Sequence, residues 1–291
     1  MFKRNRVAML VAEFLGTGVL TLAILSIQRS QLGLALFVAL AAGATVVLLT
    51  QVFGHTSGAQ LNPALTIALW TARRVKTIPA LTYIVAQLLG AWAAYGLYHY
   101  FVNAPIQEVT QEFNARIMVA EAIGTMVFAL AWAAAAYNRY DNSRFSAVSG
   151  LAYAAGIIIA SAASVGLINP AVALGANAWE LFGNGGWLFF GDNGWRNYLV
   201  GPLLGAVIGV NLYGLLFANN KSERALATAD TKSAAAAVIE PKEVEDTDID
   251  VDKAINENAK SKKVAPKAAV TKKKAVATTK KATAKKTNRK R

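Results

Sequence analysis

One part of this chain is written twice. Val11-Ala12-Glu13-Phe14-Leu15-Gly16-Thr17 returns 108 residues later as Val119-Ala120-Glu121-Ala122-Ile123-Gly124-Thr125, and Leu61-Asn62-Pro63-Ala64 returns 107 residues later as Ile168-Asn169-Pro170-Ala171. Two separate matches whose offsets agree to within one residue mark a duplicated unit. Each copy carries three apolar stretches of bilayer-spanning length, near 7–27, 34–53 and 78–101 in the first and near 116–137, 146–164 and 197–218 in the second. Three is odd, so a first copy that enters the membrane from one side forces the second to enter from the other, and the repeat is inverted. The expected fold class is an all-α membrane protein with six transmembrane helices.

Charge sets the orientation. The formal net charge of +13 suggests nucleic acid until it is divided along the chain. From Asn219 onward there are 19 Lys/Arg against 10 Asp/Glu, a net of +9, which leaves +4 for residues 1–218. Lys3, Arg4, Arg6, Arg73, Arg74, Lys76, Arg139, Arg144 and the basic tail fall on one side of the expected spans. Arg29, Glu108, Glu112, Glu180, Asp192 and Arg196 fall on the other. The excess of Lys and Arg on one side is expected to place both termini in the cytoplasm, and the expected location is the plasma membrane, as a multi-pass protein. The start could pass for a signal peptide, but its apolar run contains Glu13 and has a partner in the second copy. With no cysteine, a disulfide framework and a thiolate metal site are excluded.

Between the second and third span of each copy lies an apolar segment too short to cross, which is expected to be re-entrant. Non-helical backbone survives at membrane depth only when it is buried in protein or lines a wet cavity. Asn62 and Asn169 suit an N-cap, and Pro63 and Pro170 suit the first helical position, where a missing N–H costs nothing. Residues 63–72 and 170–182 then form two half-helices entering from opposite faces, with their N-termini meeting near the midplane. Those electropositive ends disfavour cations. The Asn62 and Asn169 amides can donate to a passing oxygen, which turns the hydrogens of a water away from its neighbours and interrupts proton hopping. The carbonyls of Gly58, Ala59 and Gln60, and of Val165, Gly166 and Leu167, are expected to form an acceptor ladder that replaces hydration.

The run Gly54-His55-Thr56-Ser57-Gly58-Ala59-Gln60-Leu61-Asn62-Pro63-Ala64-Leu65-Thr66, the second Asn-Pro-Ala and Gly201-Pro202-Leu203-Leu204-Gly205-Ala206 resemble the aquaporin and glycerol-facilitator (major intrinsic protein) family from about residue 8 to 217. A lone Asn-Pro-Ala is weak; two at equivalent places in an inverted repeat are specific. The resemblance implies the two-half-helix fold, a pore in each chain, and a homotetramer. Ala64 and Ala171 complete the two pore motifs. It also implies that Glu13 and Glu121 each accept hydrogen bonds from the re-entrant loop of their own repeat rather than carry protons. The narrowest ring falls on Ala42, Ile157, Gly166 and Val172, counted from this chain's motifs.

Here the chain departs from the family pattern. Val172 stands where an arginine directly follows the second Asn-Pro-Ala, so a fixed charge with five donors is absent. Ala42 and Gly166 are expected to widen the ring and Ile157 to make it apolar. Gln60 replaces a common histidine and cannot titrate, whereas His55 either faces the pore mouth or pins the loop. The expected function is a passive channel for water or small uncharged solutes, with polyols, urea, ammonia, peroxide and neutral metalloid acids compatible.

Two other classes share some of these features. A secondary transporter also uses inverted repeats and membrane carboxylates, and a non-conducting scaffold working through its tail would need no pore. No phosphate loop, metal cluster or nucleophile with a base at useful spacing supports an enzyme, and no cofactor is expected. Gly43, Gly90, Gly150 and Gly205 read as small residues for close helix crossings, and Trp92, Trp132, Trp179, Trp187 and Trp195 mostly as interfacial anchors. The domain division is a cytoplasmic N-terminus at 1–6, a channel at 7–218 (repeats about 7–103 and 114–218) and a basic tail at 219–291, disordered in isolation. The tail's default role is solubilising, with anionic lipid and nucleic acid as candidate contacts.

Overall fold

A computed structural model describes residues 4–29, 34–103, 112–177 and 194–217. The tail, the first three residues, the outer-loop tryptophans Trp179 and Trp187 and the expected half-helix residues 178–182 lie outside them. The described residues form α1 (Arg4–Arg29), α2 (Ala35–Ser57), α3 (Pro63–Thr71), α4 (Thr77–Val102), α5 (Ala115–Tyr137), α6 (Asn142–Ala160), α7 (Pro170–Asn177) and α8 (Arg196–Leu216). Six of these, all but the short α3 and α7, are long and apolar enough to cross a membrane.

The inverted repeat is visible in which helices touch. In the first copy α1 packs on α2 and α4; in the second α5 packs on α6 and α8. The half-helices are exchanged, α3 lying on α8 and α7 on α4, so each is held by the last span of the other copy. Helices α2 and α6 meet across the repeat boundary.

Glycine sets the distance at these crossings. A Cβ on Gly90 would lie 2.1 Å from the Phe14 carbonyl oxygen, and one on Gly205 would lie 2.0 Å from the Ala122 carbonyl oxygen. Phe14 and Ala122 are themselves 108 residues apart, so the two contacts are copies of one another. At the repeat boundary Gly43 and Gly150 face each other's carbonyls in the same way. In a medium as apolar as the side chains themselves, such backbone approach supplies the packing that holds helices together.

Several boundaries and one side chain differ from the sequence expectation: α1 starts at Arg4 rather than 7, and α2 runs to Ser57, four residues past 53. Helix α6 starts and ends four residues earlier than 146–164. The Asp141 carboxylate caps it by accepting from the Arg144 N–H at 3.1 Å, and residues 161–164 leave the helix in tight turns. Helix α8 opens with a π-helical turn over Arg196–Val200, closed by the Gly201 N–H on the Arg196 carbonyl. Pro202 cannot donate to the turn before it, and a wider turn accommodates that loss. Trp132 is not an interfacial anchor: it is buried, edge-on to Phe145 with ring centroids 5.1 Å apart. Trp92 is exposed on the outer surface of α4.

A Gly205→Ala variant is expected to lose about 1–3 kcal/mol or more, because the clash is with backbone that cannot move aside. Gly96→Ala, where a Cβ meets nothing within 4 Å, is expected to be neutral or to gain about 0.5–1 kcal/mol of helix stability. Thermal unfolding of the two purified variants in detergent checks both signs.

Candidate pore and its interlocked asparagine turns

The two non-helical stretches carry their strain openly. Ala59, Leu61 and Ile168 hold positive φ values of 46°, 51° and 45°, and Gly58 and Gly166 hold 85° and 65°. A β-branched residue such as Ile168 adopts this region only when its surroundings over-determine it. Here the surroundings are two carboxylates. Glu13 on α1 accepts from the N–H groups of Gln60 (2.9 Å) and Leu61 (2.7 Å), and Glu121 on α5 accepts from those of Leu167 (2.9 Å) and Ile168 (2.6 Å). Both acids are fully buried. Each takes a third donor from a side chain, Gln87 Nε2 at 2.8 Å in the first copy and Ser164 Oγ at 2.7 Å in the second. The hydrogen bonds therefore tie each acid to the loop of its own repeat.

The asparagines close the arrangement. Each caps its half-helix, Asn62 Oδ1 accepting from the Ala64 N–H at 2.9 Å and Asn169 Oδ1 from the Ala171 N–H at 3.0 Å. Pro63 and Pro170 occupy the first helical positions. Each amide then donates across the repeat boundary: Asn62 Nδ2 to the Ile168 carbonyl at 2.9 Å, Asn169 Nδ2 to the Leu61 carbonyl at 2.8 Å. The two turns thus sit against each other and satisfy each other's strained residue. The sequence reading left both amides free for a permeating oxygen. The structure commits one N–H of each to the partner turn, and each amide nitrogen carries a second.

Ala42, Ile157 and Val172 are all buried and belong to one apolar cluster. Gly166 lies close against the end of α6. A Cβ there would lie 2.5 Å from Ser161 Oγ and 2.6 Å from the Ile157 carbonyl oxygen. Glycine at this position thus answers to a positive φ and to close packing on α6. Val165 is exposed, whereas Gln60 and Leu167 are buried. Gly58 caps the C-terminus of α2 in a left-handed conformation. His55, in the last turn of α2, is exposed and makes no side-chain hydrogen bond to the loop among the described residues.

Four residues at the turns escaped the sequence reading. Gln87 joins Glu13 to Thr66 on α3 (Nε2 to Oγ1, 3.0 Å), and its signal was available: a glutamine inside an apolar span is costly without a partner. Ser164 bridges Glu121 and the Gly166 N–H. The Tyr83 hydroxyl donates to the Ser57 carbonyl at 3.1 Å. The Tyr153 hydroxyl lies 3.5 Å from the Leu167 carbonyl, and its ring stands edge-on to Phe128 with centroids 5.1 Å apart. Nothing in the spacing of these three singles them out.

Six spanning helices, and two half-helices from opposed repeats whose capped ends interlock, define a membrane pore protein of inverted-repeat architecture. The profile of the major intrinsic protein family matches residues 2–213. This chain belongs to that family, whose members are passive channels for water or small solutes. It is 27% identical to Aquaporin Z of Photorhabdus laumondii over 73% of this chain and 98% of that one. It is 31% identical to the probable aquaporin NIP7-1 of Arabidopsis thaliana over 72% and 76%. Among solved structures, it is similar to the aquaglyceroporin from Plasmodium falciparum (27% identity, TM-score 0.61, covering 72% of this chain and 96% of that chain).

The carboxylates give the site its test. Glu121→Ala orphans the buried N–H groups of Leu167 and Ile168, a loss of about 2–6 kcal/mol at 1–3 for each unsatisfied group. Glu121→Gln keeps one acceptor oxygen and is expected to lose about half as much. Thermal midpoints of the two variants, measured in detergent, order them: alanine lowest, glutamine between it and the native chain.

Proposed function

We propose that the chain is a passive pore whose narrowest ring passes neutral solutes larger than water, such as short polyols or urea, and holds water less well than a ring with a fixed cation. The observation that carries this reading is Val172. It follows the second Asn-Pro-Ala, is fully buried, and shares an apolar cluster with Ala42 and Ile157. No guanidinium stands at that position to hydrate or narrow it. Cation exclusion then rests on the electropositive N-termini of α3 and α7. Similarity to a protein called an aquaglyceroporin supports the same direction.

In this reading residues 7–218 form the channel, the carbonyls of Gly58, Ala59, Gln60, Val165 and Leu167 line the path, and His55 stands at its mouth. Residues 1–6 and 219–291 lie in the cytoplasm, and four chains assemble in the plasma membrane with one pore each. The Lys-rich end of the tail meets anionic headgroups beside it, with cytoplasmic nucleic acid as the competing contact.

The full chain in liposomes tests the ring. Val172→Arg is expected to slow glycerol and urea entry by about tenfold or more, the effect of a barrier about 1.4 kcal/mol higher, while water entry falls less. Solute flux in the native chain should be linear in concentration and independent of ion gradients. Equal solute flux with and without the arginine places the constriction elsewhere, and saturable ion-coupled uptake makes the protein a transporter.

A further inference from the structure

The repeat relation pairs each ring residue with a counterpart in the opposite half of the pore. The 107-residue offset of the asparagine turns takes Ala42 to Ser149, Ile157 to Thr50, Val172 to Leu65, Gly166 to Ala59, and the ladder residue Leu167 to Gln60. The backbone obeys the pairing. Ala59 and Gly166 both hold positive φ, as do Leu61 and Ile168, and Gly43 and Gly150 meet reciprocally where α2 and α6 cross. The side chains obey it at two of the five pairs, Val172 with Leu65 and Gly166 with Ala59; at the other three, Ala, Ile and Leu on one side become Ser, Thr and Gln on the other.

Those three polar groups have no protein partner. Thr50 Oγ1, Ser149 Oγ and Gln60 Oε1 are buried atoms without a hydrogen bond among the described residues, and Thr50 and Ser149 are each 1% exposed. Other helix hydroxyls here satisfy themselves on the carbonyl one turn back, Thr21 on Thr17, Thr45 on Ala41, Thr125 on Glu121 and Ser146 on Asn142. Thr50 and Ser149 have the same option and leave it unused. Thr50 continues the stripe Ala42, Val46, and Ser149 the stripe Ile157, Tyr153, both at four-residue spacing. Each hydroxyl therefore shares a helix face with a ring residue and lies about 12 Å along the helix from it. Two further hydroxyls are unpartnered: Thr17 on α1, off both stripes, and Ser161, which continues the second stripe one turn beyond Ile157 at the C-cap of α6, away from Ser149.

We infer that Thr50, Ser149 and Gln60 form a polar subsite in the pore half opposite the apolar ring, which takes the hydroxyl of a permeating water or short polyol. The inference rests on the reading of the chain as a channel. A small hydroxylic molecule fits because the set can both donate, through two hydroxyls, and accept, through all three oxygens. Buried polar atoms in folded proteins are nearly always paired, and here the permeant supplies the missing partner.

The test uses the full chain in liposomes, with stopped-flow measurement of osmotic water entry and of glycerol entry. The double variant Thr50→Val with Ser149→Ala removes both hydroxyls and no protein hydrogen bond, so its thermal midpoint is expected to equal or exceed that of the native chain. Its flux is expected to fall about three- to tenfold, the weight of one or two hydrogen bonds to the permeant. Which arm falls, water or glycerol, identifies the hydroxyl served. Thr45→Val, whose hydroxyl is already bonded to Ala41, serves as the control with unchanged flux. Native flux with unchanged or raised flux in the double variant overturns the subsite alone, as does a lowered midpoint, which makes the hydroxyls structural. Native flux no greater than that of empty vesicles overturns the channel reading and the subsite with it.

Discussion

A chain that leaves its helix inside a membrane exposes N–H and C=O groups to a medium that offers them nothing, at a cost of several kcal/mol for each unsatisfied group. This protein does so twice, at residues 58–62 and 161–169, and the rest of its architecture follows from how those groups are satisfied. Two carboxylates, each rooted one helix away, take two backbone N–H groups apiece. The strained carbonyls of Leu61 and Ile168 are taken by the asparagine of the opposite repeat. Neither turn is complete without the other, so the two halves of the duplication cannot settle separately into their final form.

The same dependence explains the exchange of half-helices. At nine and eight residues, α3 and α7 are too short to hold themselves as helices. Their stability has to come from packing, and each finds it mainly on the last span of the other copy. The glycine contacts that bring α4 against α1, and α8 against α5, hold the walls of this cradle close enough for the carboxylates to reach the loops. A side chain at Gly90 or Gly205 would therefore reach the pore indirectly, by pushing α1 or α5 and with it Glu13 or Glu121.

Much of this was legible in the sequence because duplication doubles every signal. Two Asn-Pro-Ala turns, two acids at matching places and an odd number of spans per copy constrain topology more tightly than any single motif. The features that escaped depend on one copy only. Gln87 and Ser164 do the same work by different chemistry, and nothing in a repeat comparison links a glutamine on one helix to a serine in the other loop. The start of α6 was placed late because its first turn, Asn142-Ser143-Arg144, is polar and a hydropathy average discards it, although Asp141 caps it well. Trp132 was assigned by residue type, and type alone cannot say that its ring packs on Phe145 inside the bundle. The close fit of Gly166 on α6 is equally invisible in the sequence, where a glycine reads only as a missing side chain.

The legible and the hidden features of the chain divide along one line. Backbone symmetry is enforced, because interlocked turns tolerate little independent movement: a shift in one repeat breaks hydrogen bonds in the other. Lining side chains carry no such constraint, since a residue facing the path need only fit its own neighbours. In the proposed pore, Ala42 and Ser149, or Ile157 and Thr50, can therefore diverge freely while the scaffold around them stays duplicated. Selectivity in an inverted-repeat pore is for this reason best sought where repeat-related positions disagree in polarity. Agreement between the copies, as at Glu13 and Glu121 or at Asn62 and Asn169, marks the groups that hold the turns in place.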